Sequence, residues 1–194
     1  HEPPARPFHV EALPEEAARE AVRLARRLAL PLEGYTADGG FFVEGDSPLL
    51  EAHQRLLGVE AEGADLLRLS SPLVRLQVLA EGEAPVERLL EALPPGLQAH
   101  VAESPKMPGV RFVSLTKEGV SKLSAARLVA EAYGRPLSEC AMVGDGENDL
   151  ELLRAVGVGI AMGNAPPSVK RAAQRVVAPV EACGLAEALR LLRG

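Results

Sequence analysis

Apolar and polar positions follow two different arrangements along this chain, and the change between them divides it near Val113 to Thr116. In the first part, Pro14 to Leu30 carries a helical stripe at Ala17, Ala21, Leu24 and Leu28, with proline in its first turn. Leu32 to Thr36 and Phe41 to Glu44 read as strands joined by an Asp38-Gly39-Gly40 turn. A helix from Pro48 to Leu57, a strand from Leu73 to Ala80, a helix from Pro85 to Leu93 and strands from Leu97 to Ala102 and Arg111 to Leu115 follow. That order predicts an α+β arrangement in which helices cover one face of a sheet. In the second part, helices alternate with short apolar runs. Ser121 caps a helix reaching about Tyr133; Cys140 to Val143 reads as a buried strand and Asp149 to Val156 as a helix. A strand around Gly159, a short helix after Pro166, a strand at Arg175 to Val177 and a helix from Leu185 to Leu192 complete it. The alternation predicts an α/β fold built on part of a parallel, Rossmann-like sheet, so the expected domains are 1–114 and 115–194.

Candidate chemistry concentrates between the Cys140 strand and the following helix. The run Gly144-Asp145-Gly146-Glu147-Asn148-Asp149-Leu150 gathers short side-chain oxygens in a chain whose other aspartates are Asp38, Asp46 and Asp65, and whose other asparagine is Asn164. Acid elsewhere is mostly glutamate on helices, so the short side chains suit loop geometry rather than net charge. Loops at the carboxyl ends of parallel strands are where ligands bind, and carboxylates there can hold a hard cation such as Mg²⁺. The same residue types also form turns, and Asn148 or Asp149 equally suits a helix cap. An EF-hand reading fails because Leu150 and Val156 occupy the places of its glycine and closing glutamate. The run Gly157 to Gly163 is no dinucleotide fingerprint either: its third glycine is one position late, and Pro166-Pro167 follow.

Lysine is scarce as well. Among 21 basic residues only Lys106, Lys117, Lys122 and Lys170 are lysines. Lys122 follows the expected cap Ser121, and a cation in a first helical turn opposes the helix dipole. An anion sharing the site would reconcile the two, since a helix N-terminus and an ammonium together attract phosphate. The alternative is an exposed surface lysine.

Taken in order, Gly119-Val120-Ser121-Lys122, then Met142-Val143-Gly144-Asp145-Gly146-Glu147-Asn148-Asp149, then Gly159-Ile160-Ala161-Met162-Gly163-Asn164-Ala165 resemble the haloacid dehalogenase-like phosphatases, specifically the Cof-type branch with a large inserted cap. The resemblance covers Gly119 onward most fully. Upstream it rests on Tyr35 to Val43, which looks like the start of such a cap, making 1–114 the cap and 115–194 part of the core. It implies Mg²⁺-dependent hydrolysis of a small phosphorylated metabolite through an aspartyl-phosphate. By the same resemblance Lys122 neutralises phosphate and the attacking carboxylate, Asp145 is a metal ligand, Asn148 lies close to phosphate, and Asp149 supports the metal and Lys122. The family's DxDGT string, which carries the attacking aspartate, does not occur here; Asp38 reads as a hairpin turn. With His1 in place of an initiator methionine, the expectation is a fragment, a processed chain or a sequence lacking its upstream part. A non-catalytic phosphate- and metal-binding remnant and one part of a split enzyme are the alternatives. A partial sheet would expose an edge, so a homodimer or the upstream segment is expected to cover it.

Composition narrows the partners. At 194 residues and 47% hydrophobic content there is ample material for a core, and a net charge of −6 argues against nucleic acid. No membrane span or signal-peptide pattern occurs, and Cys140 and Cys183 lack metal spacing and read as reduced thiols, so a cytoplasmic protein is expected. Few asparagines with 16 prolines and abundant Arg and Glu suit a thermophile or a GC-rich genome.

Overall fold

The computed structural model describes residues 8–193; His1 and the proline-rich opening around it lie outside them. The chain divides after Gly119, a few residues beyond the 114/115 boundary expected from the pattern. The strand expected to end at Leu115 runs on to Lys117, which carries the first unit further.

Six strands form the sheet of the first unit: β1 (Leu32–Thr36), β2 (Phe41–Glu44), β3 (Glu62–Gly63), β4 (Leu73–Glu81), β5 (Leu97–Ser104) and β6 (Met107–Lys117), in the order β3-β2-β1-β4-β6-β5. Neighbours are antiparallel except β2 with β3. Helix α1 (Glu15–Arg27) has acids at Glu15 and Glu16 in its first turn and Arg26 and Arg27 in its last, matching the helix dipole at both ends. It stops short of the expected Leu30 because Ala29 takes a left-handed φ of 53°, which returns the Leu30 N–H to Ala25 O and turns the chain into β1. Pro14 stands at the N-cap rather than inside the helix. Ala21, Val22 and Leu24 of α1, with Val86 and Leu89 of α3 (Ala84–Glu91), pack on Leu76, Val78, Val113 and Leu115 of the sheet.

The expectation of one covered face is corrected by α2 (Pro48–Leu57). Alternation along β4 sends Leu76 and Val78 to the α1 side and Gln77 and Leu79 to the other, where Leu50 of α2 joins Leu79 and Phe112 in a separate core. This second face also buries a charge. Glu33 is fully buried; its Oε1 accepts from His53 Nδ1 at 2.6 Å, and its Oε2 accepts from the Tyr35 hydroxyl at 2.9 Å and Gln77 Nε2 at 3.0 Å. Burial and the Glu33 charge push the Tyr35 phenol well above its usual range.

The second unit holds three parallel strands, β7 (Ala141–Gly144), β8 (Val158–Ala161) and β9 (Arg175–Val176), in that order. Helices α4 (Lys122–Ala132), α5 (Leu150–Ala155), α6 (Pro167–Ala172) and α7 (Gly184–Arg193) alternate with them. Leu153, Ala161 and Val169 form one small core, and Ile160, Val177 and Ala188 another. The central strand β8 is buried as expected. β7 was expected to be buried too, but Ala141 is exposed and Met142 and Val143 are half-buried, because among the described residues β7 is an edge strand. The chain is mixed α/β, as its pattern predicts, and none of the helices described is long and apolar enough to cross a membrane.

Candidate metal- and phosphate-binding site

The start of α4 is fixed by a reciprocal cap. Ser121 Oγ accepts from the Ser124 N–H at 3.1 Å, and Ser124 Oγ accepts from the Ser121 N–H at 2.8 Å. The cap makes Lys122 the first helical residue, and its Nζ donates to Asp149 Oδ1. Asp149 is only 3% exposed, and its other oxygen accepts from the N–H groups of Asp145 and Gly146, each at 3.0 Å. Glycine at 144 permits this packing: a Cβ there would stand 2.6 Å from Asp149 Oδ2. One buried carboxylate thus ties the lysine of α4 to the loop that leaves β7.

Burial alone would raise the Asp149 carboxyl, but Lys122 and the two loop N–H groups outweigh it and hold the group below the usual carboxylate range. The folded value is therefore the lower one. Stability from this group is complete above the unfolded value of about 3.9 and is lost as pH falls through the folded value. The amide resonances of Asp145 and Gly146 are accordingly expected to stay constant between about pH 7 and 5 and to shift only in acid below about pH 4. A shift centred near neutrality would show that another group controls the loop.

Asp145 faces solvent on the same loop. Its Oδ2 accepts from Asn164 Nδ2 at 3.1 Å, while Oδ1 has no hydrogen-bond partner among the described residues. Asn148 is exposed on the 3₁₀ turn Glu147–Asp149. The structure therefore joins Lys122, Asp149 and the Asp145 loop directly, and carries Asn148 on the same turn. The two candidate metal carboxylates differ: Asp149 commits both oxygens to internal donors, and Asp145 keeps one open. Among the described residues no three His, Cys, Asp or Glu side chains converge as a metal cage. One open carboxylate oxygen nevertheless fits Mg²⁺, which is commonly held by one or two carboxylates while retaining several waters.

In the sequence Asn164 stands out only as the chain's other asparagine and as part of the third matching run, with no role assigned to it. Its scarcity was the available signal, since Asn148 and Asn164 are the only asparagines in the chain. A second contact reaches the loop from the same segment, with Ser168 Oγ donating to Glu147 Oε1 at 3.2 Å.

The sequence matches the haloacid dehalogenase-like hydrolase family over residues 6–189. A Haemophilus influenzae relative is 27% identical over 181 residues, which cover 92% of this chain and 66% of the relative. The HMP-PP phosphatase of Cronobacter sakazakii is 31% identical over 137 residues, covering 68% of this chain and 48% of that protein. Among solved structures, a member of the phosphatases of the haloalkanoate (HAD) enzyme superfamily from Bacteroides thetaiotaomicron has a TM-score of 0.77 and 27% identity, covering 94% of this chain and 66% of its own. The chain spans about two thirds or less of the length of each of these relatives.

Proposed function

We propose, since the chain belongs to the haloacid dehalogenase-like hydrolases, that it supplies the phosphate- and Mg²⁺-binding part of a phosphatase acting on a small phosphorylated metabolite, such as a sugar phosphate, nucleotide or cofactor phosphate. The observation that carries this reading is the tie through Asp149, which holds an ammonium at a helix start against an acidic loop at the carboxyl end of a parallel strand. Such an ammonium neutralises a phosphoryl group and an attacking carboxylate together. Asp145, through its open Oδ1, is the residue to hold Mg²⁺, and Asn148 is the polar group for a phosphate oxygen. When bound, the cation offsets the repulsion between anions. Asp149 aims Lys122 by accepting from its Nζ. The phosphatase names of the relatives support the reaction class.

On this reading the attacking aspartate, which the family carries in a DxDGT string that does not occur in these 194 residues, belongs to a segment other than these. It forms a bond to phosphorus as the ester oxygen leaves, and water then releases phosphate from the acyl-phosphate. The unit through Gly119 serves as the cap that selects the substrate.

The test is hydrolysis of p-nitrophenyl phosphate. The purified chain is expected to show negligible turnover, and the chain joined to a strand bearing DxDGT is expected to show turnover that EDTA abolishes. Steady, EDTA-sensitive hydrolysis by residues 1–194 alone would place the attacking group within them. An inactive joined protein that still binds phosphate would favour the binding-remnant reading.

A further inference from the structure

The Asp145 carboxylate meets a residue from another segment, in the turn after β8. Asn164 Nδ2 donates to Asp145 Oδ2 at 3.1 Å, and Asn164 Oδ1 accepts from the Val180 N–H at 3.1 Å. The second contact orients the first. With the carbonyl end of the amide facing an N–H donor, its NH₂ end must face the carboxylate.

Both supports of Asn164 are themselves fixed. Gly163 lies so close to the chain beyond β9 that a Cβ there would stand 2.6 Å from Pro179 N and 2.9 Å from Ala178 C, and its N–H donates to Ala178 O at 3.2 Å. Gly184 approaches the same backbone from α7, where a Cβ would stand 1.8 Å from Ala178 O. The segment Ala178 to Val180 is thus pinned from two sides and presents the Val180 N–H to Asn164. From the other direction, the Asp145 N–H donates to the buried Asp149. The backbone of Asp145 is therefore held by Asp149 and its side chain by Asn164.

We propose that Asn164, anchored on the Val180 N–H, is the positioning residue for the Asp145 carboxylate, occupying Oδ2 so that Oδ1 is the oxygen presented to a divalent cation. This rests on the reading of Asp145 as the cation-binding carboxylate. Mg²⁺ holds its ligands to near-ideal octahedral directions, so a carboxylate fixed in one rotamer binds it better than one free to turn. Asn164 need not touch the cation.

The test uses two readouts on the 194-residue chain. The three-bond couplings from Asp145 Cγ to its backbone nitrogen and carbonyl carbon report side-chain rotamers with no metal present. Mn²⁺, followed by electron paramagnetic resonance, reports cation affinity. Wild-type couplings are expected to show a single rotamer, and Asn164→Ala to show averaged ones, with Mn²⁺ affinity down by about tenfold, as for loss of a hydrogen bond to a charged group. Val180→Pro removes the anchoring N–H at an exposed side chain; proline suits the first position of a helical turn, and the preceding Pro179 is already extended at ψ 170°. It is expected to average the couplings in part while Asn164 remains. Melting temperature separates this from general loosening. Single-rotamer couplings in Asn164→Ala would overturn the proposal, as would averaged couplings in the wild type. Unchanged Mn²⁺ binding in Asp145→Asn would instead overturn the reading of Asp145 as the cation ligand, leaving the coupling result to stand by itself.

Discussion

Lys122→Ala is expected to slow phosphate monoester hydrolysis by about a hundredfold to a thousandfold, the usual worth of a fixed charge or donor facing developing negative charge. The measurement is kcat and kcat/KM on p-nitrophenyl phosphate, in a protein containing this chain and a DxDGT strand. The loss has two sources. Phosphate and the attacking carboxylate lose their shared counter-charge, and the buried Asp149 loses the donor on Oδ1 while keeping the two loop N–H groups on Oδ2. Asp145→Asn should be impaired to a similar degree but for a different reason, since its defect is partly one of metal occupancy. Raising Mg²⁺ should therefore recover much of the Asp145→Asn rate and leave Lys122→Ala unchanged, because a dissolved cation does not replace an ammonium fixed at a helix start. Parental rates in both variants would mean that hydrolysis takes place elsewhere.

How much of this was legible in the sequence depended on whether the deciding signal was local. Helix α2 was predicted with the bounds it has, because Ser47 caps it, Pro48 opens it and Gly58 closes it in a left-handed conformation, all within a few residues. Helix α1 ends early through Ala29, which takes a left-handed φ that no glycine advertises. Strand β6 begins at Met107-Pro108-Gly109, a run that reads as a turn; pairing with β5 through Ser104 and Met107 overrides that local preference. The acidic loop was recognisable from its composition, yet nothing in Gly144 to Asp149 tells which aspartate turns inward. That choice follows from three-dimensional facts: the space over Gly144, the two N–H groups aimed at Asp149 Oδ2, and Lys122 arriving from another helix. Asn164 meets Asp145 across a strand and a turn, so its contact has no sequence spacing to betray it. Glu33 was invisible for the same reason, lying in a strand whose alternation places a glutamate on a face that happens to be roofed by α2.

That buried glutamate is expected to matter most for stability, with Glu33→Ala lowering the unfolding free energy of the first unit by about 3 kcal/mol or more, since it strands three donors in the interior at about 1–3 kcal/mol each. Three donors end at its carboxylate, from His53, Tyr35 and Gln77, and the glutamate is fully buried. The single methylene lost would account for only about 0.8 kcal/mol, so a larger effect must come from the stranded donors. Replacing Glu33 and His53 together by leucine should cost less than Glu33→Ala, because it removes the charge and its main partner at once and keeps the volume filled. The chain offers a built-in reporter for this. It has no tryptophan and two tyrosines, Tyr35 in the first unit and Tyr133, 80% exposed, in the second. In a Tyr133→Phe background, fluorescence during urea denaturation follows the first unit alone. The midpoint for Glu33→Ala should fall by about 1 M urea or more, given slopes of about 1–3 kcal/mol per molar for domains of this size. An unchanged midpoint, or a double-leucine variant less stable than Glu33→Ala, would mean that the carboxylate is a tolerated guest on this face of the sheet rather than the group that organises it.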